Sequence, residues 1–142
     1  MTNTIQVDIA EGAEEIGLAV MLRDLLIQNL EQNPHKISDF SKLNIPIGLH
    51  VFDVEIKLTL DFSNESLTII NGVTGQGGLN ITADSGTLMN LSNQRIKWGL
   101  PYYFDETGKE ILAAMKSGRL KVKGMLRYFL TLIRFSRVMS VH

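Results

Sequence analysis

SGRLKVKGMLRYFLTLIRFSRVMSV (residues 117–141) changes its period halfway along. Arg119, Lys121 and Lys123 alternate with Leu120 and Val122, the two-residue repeat of a strand with one apolar and one solvated face. Gly124 breaks the alternation, and from Met125 onward apolar residues recur at helical spacing. At ~100° per residue, Met125, Tyr128, Phe129, Leu132, Ile133, Phe135 and Met139 cover about half of a helix circumference, with Leu126 at the edge. Arg127, Thr131 and Arg134 mark the opposite side, with Arg137 close by. An ordinary surface helix carries a narrower stripe. Three readings fit the excess: a central core helix, a helix at a dimer interface, or one wall of a cavity for an apolar guest.

Upstream of this stretch the period alternates between helix and strand. Residues 13–33 read as a helix entered through Glu14 and Glu15 and stopped by Pro34, with Gly17, Asp24, Gln28 and Glu31 in one narrow polar arc. A second short helix spans 35–43. HVFDVEIKLTLDF (50–62) has period two, with His50, Phe52, Val54, Ile56, Leu58, Leu60 and Phe62 on one face, as one long strand or as two joined by a bend. Residues 63–65 supply a turn, SLTIINGV and LNITA are further strands, and Asp84 or Ser85 caps a helix running to Leu91. Another helix runs over 105–116 and ends at Gly118. This order predicts an α+β domain over residues 1–142, with residues 1–12 flexible and helices packed on one face of a sheet.

Composition bounds the chemistry. The 142 residues include no cysteine, which excludes disulfides and thiol catalysis. No basic, apolar leader opens the chain, and arginines interrupt the longest apolar runs, so a soluble, intracellular protein is expected. The N-x-[ST] matches at Asn64, Asn80 and Asn90 then carry no meaning. Charge is unevenly placed: from Lys109 onward eight lysines and arginines stand against Glu110 alone, while the first 108 residues hold six basic and fourteen acidic residues. Such asymmetry suits an anionic partner or mutual neutralisation across the fold.

Catalytic motifs are missing. His35, His50 and His142 share no metal-ligand spacing, no G-x-S-x-G elbow occurs, and Asp53, Glu55 and Asp61 lie on the strand face assigned to solvent. GVTGQGG (72–78) lacks the G-K-[ST] ending of a phosphate loop and reads as a hairpin loop. No enzyme activity, cofactor or metal is expected, and nucleic acid is a poor partner because the basic residues lack a stacking platform. Two features exceed plain core packing. RIKWGLPYYFDE (95–106) gathers Trp98, Tyr102, Tyr103 and Phe104, amphipathic aromatics suited to a pocket mouth or a membrane interface. Leu88, Met89, Ile111, Leu112, Met115 and Met125 supply flexible apolar side chains where a cavity wall could form.

GGLNITADSGTLMNLSN followed by ILAAMKSGRLKVKGMLRYFLTL resembles the sterol carrier protein 2 (SCP2) family, whose domains carry a strand, a helix, an "sG-kL-ikG" strand and a terminal apolar helix in this order. The resemblance covers roughly residues 49–141 and implies an SCP2-like fold. That fold is one mostly antiparallel sheet of four to five strands, with helices on one face and a hydrophobic tunnel between. It implies a non-catalytic protein that binds or transfers a fatty acid, fatty acyl-CoA, isoprenoid or other lipid. The tunnel walls would map to Met125, Phe129, Leu132 and Ile133 and to Ile111, Leu112 and Met115, with the aromatic segment 95–106 as a lid or extension. Lys121, Lys123, Arg127, Arg134 and Arg137 are the candidates for an anionic headgroup or a transient anionic membrane contact. The ending Ser140-Val141-His142 is not a peroxisomal S-K-L signal, so a prokaryotic cytoplasmic location is expected. The rival reading is an accessory interaction module, a homodimer or a subunit in quinone biosynthesis, that buries the same helix against a partner.

Overall fold

A computed structural model describes residues 6–63, 65–72, 78–97 and 100–142. Six strands form one sheet in the order β1-β4-β3-β2-β5-β8. These are β1 (Gln6–Ile9), β2 (Pro46–Val51), β3 (Ile56–Ser63), β4 (Ser66–Asn71), β5 (Leu79–Ala83) and β8 (Leu120–Lys123). A separate two-residue pairing joins β6 (Ile96–Lys97) to β7 (Leu100–Pro101). The described residues also form five helices: α1 (Gly17–Gln32), α2 (Lys36–Lys42), α3 (Ser85–Ser92), α4 (Glu106–Ser117) and α5 (Phe129–Met139).

Register sorts the side chains. Ile47 lies opposite Leu60 and Leu79, Leu49 opposite Leu58 and Ile81, and Val51 opposite Ile56 and Ala83. Leu60 pairs with Ile69, Phe62 with Leu67, and Ala83 with Leu120. Because cross-strand partners share a face, these residues form one continuous apolar surface. The other face pairs His50 with Lys57 and Thr82, Asp61 with Thr68, and Asn80 with Lys123. None of the described helices contributes to the core from this polar face. Helix side chains Leu22, Leu26, Leu30, Phe40, Ile111, Phe135 and Val138 close the apolar face into a single core.

Several expectations need correction. The sheet has six strands, not four to five, and two of its five ladders, β1–β4 and β2–β5, are parallel. The sixth strand comes from the segment expected to be flexible: Val7 sits opposite Leu67 and Ile9 opposite Ile69, where they extend the apolar face. Residues 50–62 are two strands, because Phe52–Glu55 make a turn in which Glu55 adopts a left-handed φ of 52°. That turn shifts the phase of the alternation. Odd-numbered residues face the core before it and even-numbered ones after it, so His50 points to the polar face while Phe52 and Val54 are exposed. α1 begins at Gly17 and not at residue 13, since Ala13 and Ile16 are taken up by a turn bonded back to Ala10 and Ala13. α5 begins at Phe129, because Gly124 holds φ at 91° and residues 125–128 are still turning.

Candidate functional site

The helices over β5 and β8 do not fill the space beneath them. α4, α5 and the segment from Leu100 to Tyr103 border a partly open cavity of about 360 Å³ against Leu120 and Val122 of β8. A smaller void of about 50 Å³ continues between α3, α5 and the strands, lined by Leu49, Ile81, Leu88, Phe135 and Met139. Leu91, Gln94, Leu120, Val122, Leu132 and Ser136 line both, so the two chambers share a wall. The larger chamber falls within the range of small-molecule pockets.

Local chemistry fixes the walls. Asp84 caps α3 by accepting a hydrogen bond from the Thr87 N–H at 3.0 Å, and bonding to the Thr87 side chain first, then to its N–H, holds the carboxyl below the ordinary value of 3.8. Asp53 of the β2–β3 turn accepts from both the backbone N–H and the hydroxyl of Ser85, at 2.9 and 2.5 Å, tying the hairpin to the same helix start. α4 is capped by Asp105, which accepts from the Gly108 N–H at 2.7 Å, and ends at Gly118 with a left-handed φ of 82°. Gly108 is itself required by packing. A Cβ there would lie 2.4 Å from the Tyr102 carbonyl oxygen, so only glycine lets the aromatic segment lie against α4 and bring Tyr103 to the cavity.

The C-terminal end of α5 is held by other helices. Asn29 of α1 donates from Nδ2 to the carbonyls of Val138 and Met139, at 3.0 and 3.1 Å. Buried Lys36 of α2 donates from Nζ to the Ser140 carbonyl at 2.5 Å, and the Ser140 hydroxyl donates to the Gln94 carbonyl. Burial pushes the Lys36 ammonium below its ordinary 10.5. Helix-end carbonyls that would otherwise be orphaned in the core are thus satisfied by side chains.

Of the residues expected at a site, Leu88, Tyr103, Ile111 and Met115 line this space, as do Met125, Phe129, Leu132 and Ile133. Others turn away: Met89 and Leu112 are exposed, and Phe104 is 78% exposed. Tyr102 packs edge-on to Phe104 and under the Lys97 ammonium, 4.1 Å from its ring centroid, outside the lining. Trp98 and most of the loop 72–78 lie outside the described residues. Among the basic candidates, Lys121 and Lys123 project from β8 on the side opposite Leu120 and Val122, and Arg127 stacks near the Tyr128 ring. Arg137 is occupied elsewhere. It pairs with Asp39 at 3.1 Å and lines a separate polar depression with His35, Lys36 and His142. Arg134 is half-buried on α5.

Gln94 escaped the sequence reading. It is a polar residue in a connection, with no periodicity to mark it, yet it is only 2% exposed and lines both chambers. Among the described residues no group of three or more His, Asp or Glu is placed to hold a metal ion, and no helix is long and apolar enough to cross a membrane.

No family model matches the sequence, and no curated protein matches it either. Among solved structures, one described as "UbiJ-SCP2 Ubiquinone synthesis protein" superposes with a TM-score of 0.61 over 89% of this chain and 95% of its own, at 17% identity. An identity this low speaks for architecture alone. By the arrangement of its sheet and helices, this chain has an SCP2-like fold.

Proposed function

We propose that the protein binds an apolar ligand, a lipid or isoprenoid chain, in the two-chambered cavity beneath α5, without catalysing its conversion. The observation that carries this reading is a cavity of about 360 Å³ whose walls are almost entirely aliphatic, methionine and aromatic side chains. Burying an alkyl chain there yields about 0.8 kcal/mol per CH₂, so length and shape select the guest. The SCP2-like fold and the printed role of its structural neighbour in ubiquinone synthesis support a lipid-binding or accessory role.

The cavity wall continues into an exposed apolar rim. Phe129 and Leu100 line the larger chamber and are 55% and 52% exposed, and Leu126 and Leu130 beside Phe129 are 95% and 65% exposed. Exposed Lys123 and Arg127 flank the same turn. Apolar tips beside cations fit the interface of an anionic membrane, where a guest would pass between bilayer and cavity. A cytoplasmic protein that meets the inner leaflet transiently is the corresponding picture.

Native mass spectrometry of the purified protein, together with uptake of a fluorescent fatty acid, tests the reading. The wild type is expected to carry or take up lipid, and Val122→Trp, which fills both chambers, is expected to lose uptake while keeping its fold by circular dichroism. Absence of lipid and of uptake in the wild type would overturn it. A second reading, an accessory module that docks a protein through the exposed rim, rests on the same apolar residues. It predicts a stable complex or dimer by sedimentation that Leu126→Glu dissolves.

A further inference from the structure

The cavity wall includes a buried polar group that the described fold does not use. Gln94 is 2% exposed, and its Nε2 has no hydrogen-bond partner among the described residues. A buried amide donor left unpaired costs about 1–3 kcal/mol, so proteins rarely retain one without a use. Its main chain is firmly placed, since the Gln94 carbonyl accepts the Ser140 hydroxyl and the neighbouring Ser92 carbonyl accepts the Val141 N–H at 2.9 Å. Gln94 is also one of the residues that line both chambers, and its unpaired Nε2 is buried beside them.

The rest of the lining narrows what could meet it. Ser136 also lines both chambers, but its hydroxyl already donates to the Leu132 carbonyl at 2.9 Å. Among the described residues no Lys, Arg, His, Asp or Glu lines either chamber. A carboxylate or phosphate brought to Gln94 would be a buried charge without a counter-ion, at a cost of several kcal/mol. An uncharged oxygen carries no such penalty, and the amide can offer it a donor.

From this geometry we infer that Gln94 is a specificity-determining residue. It donates a hydrogen bond to a carbonyl or hydroxyl oxygen of an uncharged lipid, and so prefers ketone, ester, quinone or alcohol guests over hydrocarbons of equal length. This inference rests on the cavity being a ligand site, as proposed above. Charged heads remain at the mouth, outside the reach of Gln94.

The experiment measures displacement of N-phenylnaphthylamine from the full chain by 2-tridecanone and by tridecane. Gln94→Leu is expected to weaken the ketone by about fivefold, the worth of one hydrogen bond, and to leave tridecane within about twofold. Gln94→Met, closer in shape, should repeat the result if the leucine variant packs poorly. In the wild type, the side-chain amide resonances of Gln94 should shift with the ketone and not with the alkane. With its orphaned donor gone, ligand-free Gln94→Leu should melt at or above the wild-type temperature. Equal loss of both ligands, no loss of the ketone, or a marked fall in melting temperature in both variants would overturn the assignment while leaving a ligand cavity intact. Failure of the wild type to bind the probe or either ligand would overturn the cavity reading and the role of Gln94 with it.

Discussion

Asp84 shows how much one side chain can settle. Its carboxylate accepts from the Thr87 N–H more strongly when ionised, and its pKa lies below the ordinary 3.8. A carboxyl depressed on folding contributes stability that is complete above its unfolded value and lost as pH falls through the folded one. Asp84→Asn keeps an acceptor at the cap and should flatten that acid-side loss, whereas Asp84→Ala should cost about 1 kcal/mol near neutral pH. Denaturant unfolding between pH 2 and 7 checks both. Gly108 is the complementary case. Gly108→Ala places a methyl against the Tyr102 carbonyl, and it should both lower the melting temperature and weaken ligand uptake by moving Tyr103. Loss of stability without any effect on uptake would show that the aromatic segment is not a wall of the functional cavity. Asp84 as a cap was legible, because an acidic residue before an apolar helical run has a local signature. Gly108 and Gln94 were not, since their importance comes from atoms far away in sequence.

At the scale of elements, α5 depends on neighbours that no local pattern reveals. Asn29→Ala removes the donor to two buried carbonyls and should destabilise the fold by about 1–3 kcal/mol, whereas Gln28→Ala, one residue earlier and exposed, should change little. Lys36 adds a dependence on alkaline pH. Its folded pKa is lowered by burial, so the unfolded chain binds more protons between that value and 10.5, and stability should rise with pH across the interval. Lys36→Met should abolish the rise; a wild type indifferent to pH there would argue against a lowered Lys36 pKa in the folded chain. The alternating strand at 120–123 and the helix after Gly124 were readable from period alone. The phase error at His50 arose because period two runs unbroken through a four-residue turn, and only pairing of Val51 with Ile56 exposes the reversal. β1 was missed for a related reason, since four residues are too few to show a period.

For the whole molecule, the sign and placement of charge decide what it meets. The concentration of basic residues after Lys109 remains with the elements that border the cavity, while the acidic excess sits upstream. Association with vesicles of anionic phospholipid should therefore be weak, should fall with added salt, and should vanish in Leu126→Glu/Leu130→Glu without loss of thermal stability. Binding equally strong to neutral vesicles would remove the electrostatic part of the argument. Fold class was legible from the order of helices and strands and from the likeness in residues 77–93 and 111–132. The two parallel ladders were not, because β2 and β5 are joined through the β3–β4 excursion and nothing local declares their adjacency.

That strand order also divides the molecule mechanically. β8 closes the sheet on the cavity side and has a single ladder, to β5, while β3 is clamped between β2 and β4. An edge held on one side opens at lower free energy than a strand held on both, so the wall nearest the cavity is the part that breathes first. Amide hydrogens of Lys121 and Lys123 and of α4 should exchange faster than those of Leu58 and Leu60, and a bound lipid should slow the first group selectively. The guest would then gain admission through a local opening, leaving the hydrophobic centre undisturbed.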